Sequence, residues 1–160
     1  MKSSGCGAVS ASMIVSNLTD QVVDPVKMAA YAIKKGARVD GGTDMNVLAR
    51  ALSKDYGLPF ITTNDENVLV AHLKSGGMAV ANVGGNRSGY TGVFSDGGHF
   101  IVAAGLNASG EAIVLDPGYY WGKFTKMGRA GKVTVHGNQC FCKIRSEEHT
   151  SELQSHVRIS

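Results

Sequence analysis

The apolar pattern of the chain changes once, near Met78, and that change limits the fold more than any other feature. Before it, apolar residues recur at helical spacing. After it come short apolar runs bounded by glycine. Residues 6–18 are apolar almost all round, which predicts a buried helix. Asp24 as N-cap and Pro25 at the first helical position open a second helix, with Val26, Ala29, Ala30 and Ile33 as the expected inner face and Gly36 as the stop. A third helix starts from Gly41-Gly42-Thr43, with Thr43 as cap and a stripe of Val47, Leu48, Ala51 and Leu52. A fourth opens at Asn64, buries Val68, Leu69 and Leu73, and ends at Gly76-Gly77. Residues 78–83 then read as a strand, and 84–98 as a long loop rich in glycine. Strands 99–106 and 111–116 flank a turn at 107–110, and strands 131–135 and 139–143 form a last hairpin. Helices first and antiparallel strands second predict an α+β fold, with N-terminal helices packed on an antiparallel sheet, in one domain.

The 160 residues suit one domain, and 43% apolar content is enough for a core. The net charge of +3 is spread without a run of like charges, so no nucleic-acid footprint is expected. No stretch is long and apolar enough to span a membrane, and no apolar leader precedes Cys6. Three cysteines, Cys6, Cys140 and Cys142, make no disulfide framework and leave Cys6 as a free thiol. Residues 145–160 differ in composition from the rest. The run from Arg145 to Ser155 reads, codon for codon, as a translated sequencing-library adapter. The expected domain is therefore 1–144, followed by a non-native tail without an element of its own. With Cys6 so near the start, the natural domain is expected to extend further upstream.

Three local features carry chemistry. Ser4-Gly5-Cys6-Gly7 leads straight into the first helix, whose N-terminal N–H groups and dipole favour a thiolate. Gly97-Gly98-His99 opens an apolar strand, placing an imidazole at a sheet rim, where it can serve as a base. Ala112-Ile113-Val114-Leu115-Asp116-Pro117 ends the next strand on a carboxylate. Taken singly, each also fits a bland role: a small buried thiol, a strand-edge histidine, a turn aspartate. Together they gain weight. If Asn107 pairs with Gly110, Ile101 falls opposite Asp116, and His99 becomes its diagonal neighbour on the same face. A one-residue bulge would undo that register.

In this order and setting, Ser-Gly-Cys-Gly before a helix, Gly-Gly-His opening a strand and Asp-Pro closing the next resemble the C-39-like peptidases. These are papain-superfamily cysteine peptidases named for bacteriocin-leader processing. Asp55-Tyr56-Gly57-Leu58 before the fourth helix also matches. The resemblance implies a papain-like fold, with Cys6 as nucleophile, His99 as base and then acid, and Asp116 as the residue that orients the ring. Gly5, Gly97 and Gly98 would border the substrate. The substrate would be a peptide, with cell-wall peptides a candidate, and a bacterial or phage enzyme acting outside the cytoplasm or at the cell envelope is favoured. No cofactor and no metal are implied, and a monomer is expected. Two departures stand out: Ala8-Val9 where the family has Pro-Thr, and no oxyanion glutamine between Met1 and Cys6.

Other readings remain beside this one. A peptide-binding domain of low or no activity, or an amidase or acyltransferase using the same thiol, would share the fold. No Gly-x-Ser-x-Gly elbow or Gly-Lys-Ser/Thr phosphate loop occurs. Cys140, Cys142 and His136 have the wrong spacing for zinc and read as strand residues. Loop 84–98 reads either as a flap beside the cleft or as a surface insertion. Tyr119, Tyr120 and Trp121 read either as a specificity pocket or as a cap over the core.

Overall fold

The computed structural model describes residues 5–144 and, as backbone, strand residues 155–159. Four α-helices come first in the described chain: α1 (Cys6–Leu18), α2 (Pro25–Lys34), α3 (Met45–Tyr56) and α4 (Glu66–Lys74). Between them lie a two-residue ribbon, β1 (Arg38–Val39) with β2 (Gly42–Thr43), and strand β3 (Phe60–Thr63). Strands β4 (Met78–Val83), β5 (His99–Leu106), β6 (Ala112–Leu115), β7 (Val133–His136), β8 (Gln139–Cys142) and β9 (Ser155–Ile159) follow. The main sheet is antiparallel throughout, in the order β3-β9-β4-β5-β6-β8-β7. This is the α+β architecture the periodicity predicts.

The sheet separates two apolar layers. On one face α1, α2 and α3 bury Ile14, Val15, Met28, Leu48 and Leu52 against Val80 and Val102. On the other, Leu69 and Leu73 of α4 join Phe94, Phe124, Ile101, Val114, Cys140 and Cys142. The alternation along β4 and β5 sends successive side chains to opposite layers, as strand geometry requires. Cys140 and Cys142 share a face, as their spacing predicts, and that face is core.

Local capping explains most of the helix starts. The Asp24 side chain accepts the Lys27 N–H at the start of α2, with Pro25 just behind it. In α3 the cap is Asp44, which accepts from Asn46 and Val47, rather than the predicted Thr43, which belongs to β2. Likewise α4 is capped by Asp65 and begins at Glu66, two residues after the predicted opening, because residues 60–63 are already committed to β3. Strand β3 is not predicted at all.

The inner face of α2 differs from the expectation. Val26 and Ile33 are 80% and 64% exposed, whereas Met28 and Ala32 are buried. Tyr31 accounts for the rotation. Its hydroxyl donates to Asp55 at 2.7 Å and its ring meets Tyr56 edge-on, which fixes the helix against the end of α3. Met28 and Tyr31 thereby outweigh Val26 and Ile33.

The tail differs too. Residues 155–159 pair on one side with β3 and on the other with β4, where the sequence predicts no element. β3 and β4 present facing edges one strand apart. A segment with β-branched residues at alternate positions can satisfy both ladders.

Candidate active site

The β5–β6 hairpin places the histidine and the acid, and it does so by a route the sequence does not reveal. The turn closes with the Asn107 N–H donating to Glu111, one residue later than predicted, while Gly110 takes the left-handed conformation (φ 78°) the tighter bend needs. Leu106 therefore faces Ala112, one residue out of the expected register. A β-bulge between Ala103 and Gly105 then removes the offset, so Val102 faces Leu115. The two irregularities cancel before the rim. At the rim His99 and Asp116 meet, with His99 Nε2 2.7 Å from Asp116 Oδ1.

Cys6 is the first residue of α1. Gly5 is its N-cap and provides no side chain, so the N-terminal N–H groups of the helix carry no side-chain cap. The thiol is partly exposed and hydrogen-bonds the His99 side chain. Since Nε2 is turned to Asp116, Nδ1 is the ring nitrogen left for the sulfur. Burial pushes the thiol pKa up. The hydrogen bond and positive charge of His99, with backbone hydrogen bonds at Phe100 and Gly7, outweigh burial and hold it below the usual thiol range. His99 moves the opposite way. Burial lowers its pKa, but hydrogen bonds to Asp116 and Cys6 and their negative charges raise it above the ordinary imidazole value. Such opposed shifts favour a thiolate–imidazolium pair.

Asp116 is fully bound. Oδ1 takes His99 Nε2 and the Gly118 N–H at 2.8 Å, and Oδ2 takes Lys123 Nζ at 2.5 Å. Burial raises its pKa, and hydrogen bonds from His99 and Lys123 override that, keeping the carboxyl ionised below the usual range. Gly118 lies against the ring: a Cβ there would be 3.1 Å from His99 Cε1 and 3.5 Å from Asp116 Oδ1. Lys123 has no counterpart in the sequence reading. It opens a 3₁₀ turn, Lys123–Thr125, and is 3% exposed. A lysine in a loop ordinarily reads as solvated. Its nearest sequence signal is the adjacent Phe124, which enters the core.

Cys6 and His99 border two hollows. One, of about 290 Å³, includes Gly5, Phe94, Asp96, Tyr120, Lys123 and Arg129. The other, of about 510 Å³, includes Asp40, Thr43, Asn82, Ser95, Gly97 and Gly98. All three glycines singled out in the sequence thus line one or the other. Loop 84–98 forms part of both walls and is tied down. Arg129 donates to Gly92 O and to Asp96 Oδ1, each at 2.8 Å, Asn86 N–H reaches Asp96 O at 2.7 Å, and Val93 and Phe94 are buried. Of the three aromatics, Tyr120 faces the cleft, Tyr119 stacks on Phe124 at 6.2 Å, and Trp121 is 92% exposed, so Trp121 caps no core. Among the described residues no cluster of three acidic, histidine or cysteine side chains could hold a metal, and no helix is long and apolar enough to cross a membrane.

No family model and no curated protein matches the chain. Among solved structures, the chain is similar to a crystal structure from Bacillus anthracis described as an inferred C39-like peptidase. The TM-score is 0.60 at 12% identity, over 98% of this chain and 88% of that one. At that identity the likeness is one of fold: the helices and antiparallel sheet are consistent with a C39-like peptidase fold.

Proposed function

We propose that the chain is a papain-type cysteine peptidase, hydrolysing peptide bonds with Cys6, His99 and Asp116. The observation that carries this reading is the continuous path from a thiol at a helix N-terminus, through the imidazole, to a carboxylate buried behind the ring, with Cys6 and His99 lining the cleft. The C39-like fold of the neighbour supports it.

The thiolate of Cys6 attacks the peptide carbonyl carbon, and the C–S bond forms as the carbonyl electron pair moves onto oxygen. The oxyanion can accept the Cys6 backbone N–H at the uncapped start of α1, with the Asn82 amide and the Thr43 and Ser95 hydroxyls among the side chains lining the same hollow. The C–N bond then breaks, and His99 gives its proton to the departing amine, leaving a thioester. Neutral His99 next takes a proton from water, the hydroxide attacks the thioester, and the thiolate leaves to restore the ion pair. Asp116 holds Nε2–H throughout, which keeps Nδ1 toward the sulfur.

The substrate is proposed as an extended peptide crossing from one hollow to the other, with cell-wall peptides as one class. Iodoacetamide provides the direct test. Cys6 should be alkylated at pH 6 on the order of 10²-fold faster than a model thiol, since an ordinary thiol is under 1% ionised there. Equal rates would leave the fold without this chemistry and favour a peptide-binding role.

A further inference from the structure

We infer that Lys123 is a positioning residue for His99, acting through Asp116: its buried ammonium holds the carboxylate in place and limits how strongly that carboxylate draws a proton to the ring. The inference rests on the peptidase reading of Cys6 and His99 and adds a fourth member to it.

The geometry is closed on all sides. Lys123 Nζ donates to Asp116 Oδ2 at 2.5 Å and to Gly118 O at 3.2 Å, while the Gly118 N–H donates back to Asp116 Oδ1 at 2.8 Å. The segment between the acid and the lysine is thus pinned at both ends, and Oδ1 is left pointing at Nε2. Neither charge has water to screen it, because the Lys123 and Asp116 side chains are 4% and 0% exposed. A buried ammonium needs a counter-charge, and Asp116 is the one it touches.

The electrostatic consequence concerns the ring. A lone buried carboxylate would stabilise the imidazolium strongly and make His99 a reluctant acid toward the leaving amine. Lys123 offsets that pull, so the ring is held by Asp116 yet releases its proton when the amine departs. The other charged or titratable groups around His99 are few. Cys6 approaches from α1, Asp96, Tyr120 and Arg129 share the first hollow, and Asp40 lies on the second. Cys140 approaches Asp116 and Lys123 from β8. Arg129 is already bound to Asp96. Lys123 is therefore the cation that touches the acid behind the ring.

Carboxymethylation of Cys6 in the full chain by iodoacetate reads this out. The reagent is anionic, so its rate rises as the thiolate forms and falls as His99 loses its proton. Lys123→Met should move the falling limb upward by about one pH unit. Lys123→Gln, which keeps a donor for Asp116 but no charge, should move it by a similar amount and serves if the methionine variant does not fold. Lys27→Met removes the same charge from an exposed site and should leave the limb in place. A falling limb unmoved in the folded neutral variants would overturn the inference, reducing Lys123 to a packing residue seen only in the melting temperature. That outcome differs from failure of the peptidase reading, in which the unmodified chain itself shows no enhanced rate at pH 6.

Discussion

Cys6 and Cys140 answer to the same carboxylate from different places, and the sheet treats them oppositely. Cys140 faces Val114, two residues before Asp116, inside the layer that α4 covers. Burial and the negative charge of Asp116 push its thiol up to about 11, with Lys123 only partly offsetting them. Cys6 reaches the same acid through an imidazole, and its pKa falls. The difference lies in what stands between sulfur and carboxylate. An imidazole able to carry a proton turns the acid's charge into support for a thiolate, whereas direct proximity opposes one. A cysteine near an acid is therefore no sign of reactivity unless a base intervenes.

The sharpest way to break the comparison is to remove Cys6. Cys6→Ala should lower peptide turnover on the order of 10⁶-fold, as loss of a triad nucleophile does elsewhere. It should also abolish fast labelling by iodoacetamide, leaving Cys140 and Cys142 unlabelled in the folded protein. Rapid labelling of Cys140 in that variant would mean burial does not govern it. Next in size is Asp116→Asn. Turnover should fall about 10²–10⁴-fold, and the thiol pKa read from the pH dependence of alkylation should rise, because the imidazolium loses its partner. Asp116 also links folding to pH. Its folded pKa is depressed, so the stability it contributes is present above the unfolded carboxyl pKa and lost as pH falls through the folded value. The asparagine variant should therefore show a shallower acid limb in a melting-temperature profile.

A smaller effect tests ring placement alone. At Gly118 an added methyl would crowd the His99 ring by a few tenths of an ångström without touching the core. Gly118→Ala should cost about tenfold in kcat/KM, while the melting temperature moves little. On the inert side, Cys140→Ala should cost about 1–2 kcal/mol of stability in urea unfolding and leave turnover within about twofold. If the first variant lost stability and the second lost activity, the division between the two regions would be wrong.

Much of the site was legible because its parts sit at ends of elements, where sequence signals are strongest. Gly5-Cys6, Gly98-His99 and Asp116-Pro117 each mark a start or a stop, and antiparallel pairing supplies their proximity. The register was another matter. The Asn107 N–H went to Glu111 O although the Gly110 N–H also closed on Asn107 O, and the bulge after Ala103 restored the diagonal meeting of His99 and Asp116. That agreement came from two offsets, neither of which the residues announce. Lys123 was illegible for a different reason: its burial depends on Phe124 entering the core and on a counter-charge seven residues away. The α2 face was lost where two stripes of similar apolarity competed, and the buried one carries Met28 and Ala32 in the core with Tyr31 bound to Asp55 beside them.

The smallest expected effect at the site belongs to the tail. We propose that the evolved domain ends at Ile144, with the remaining sixteen residues contributing nothing to the chemistry. Strand β9 lies beside β4, on the side away from β5, so its removal leaves β5, β6 and α1 with all their mutual contacts. A chain ending at Ile144 should alkylate at Cys6 within about twofold of the full chain. Its melting temperature is the sharper reading, because β4 would present an open edge and β3 would lose its neighbour in the sheet. An unchanged value means the β9 ladder adds no net stability and supports the boundary at Ile144. A drop of several degrees, about 1 kcal/mol at this size, means the tail has become part of the sheet. Loss of Cys6 reactivity would instead place the boundary in the wrong position altogether, since the slot between β3 and β4 would then be holding the rim on which His99 stands.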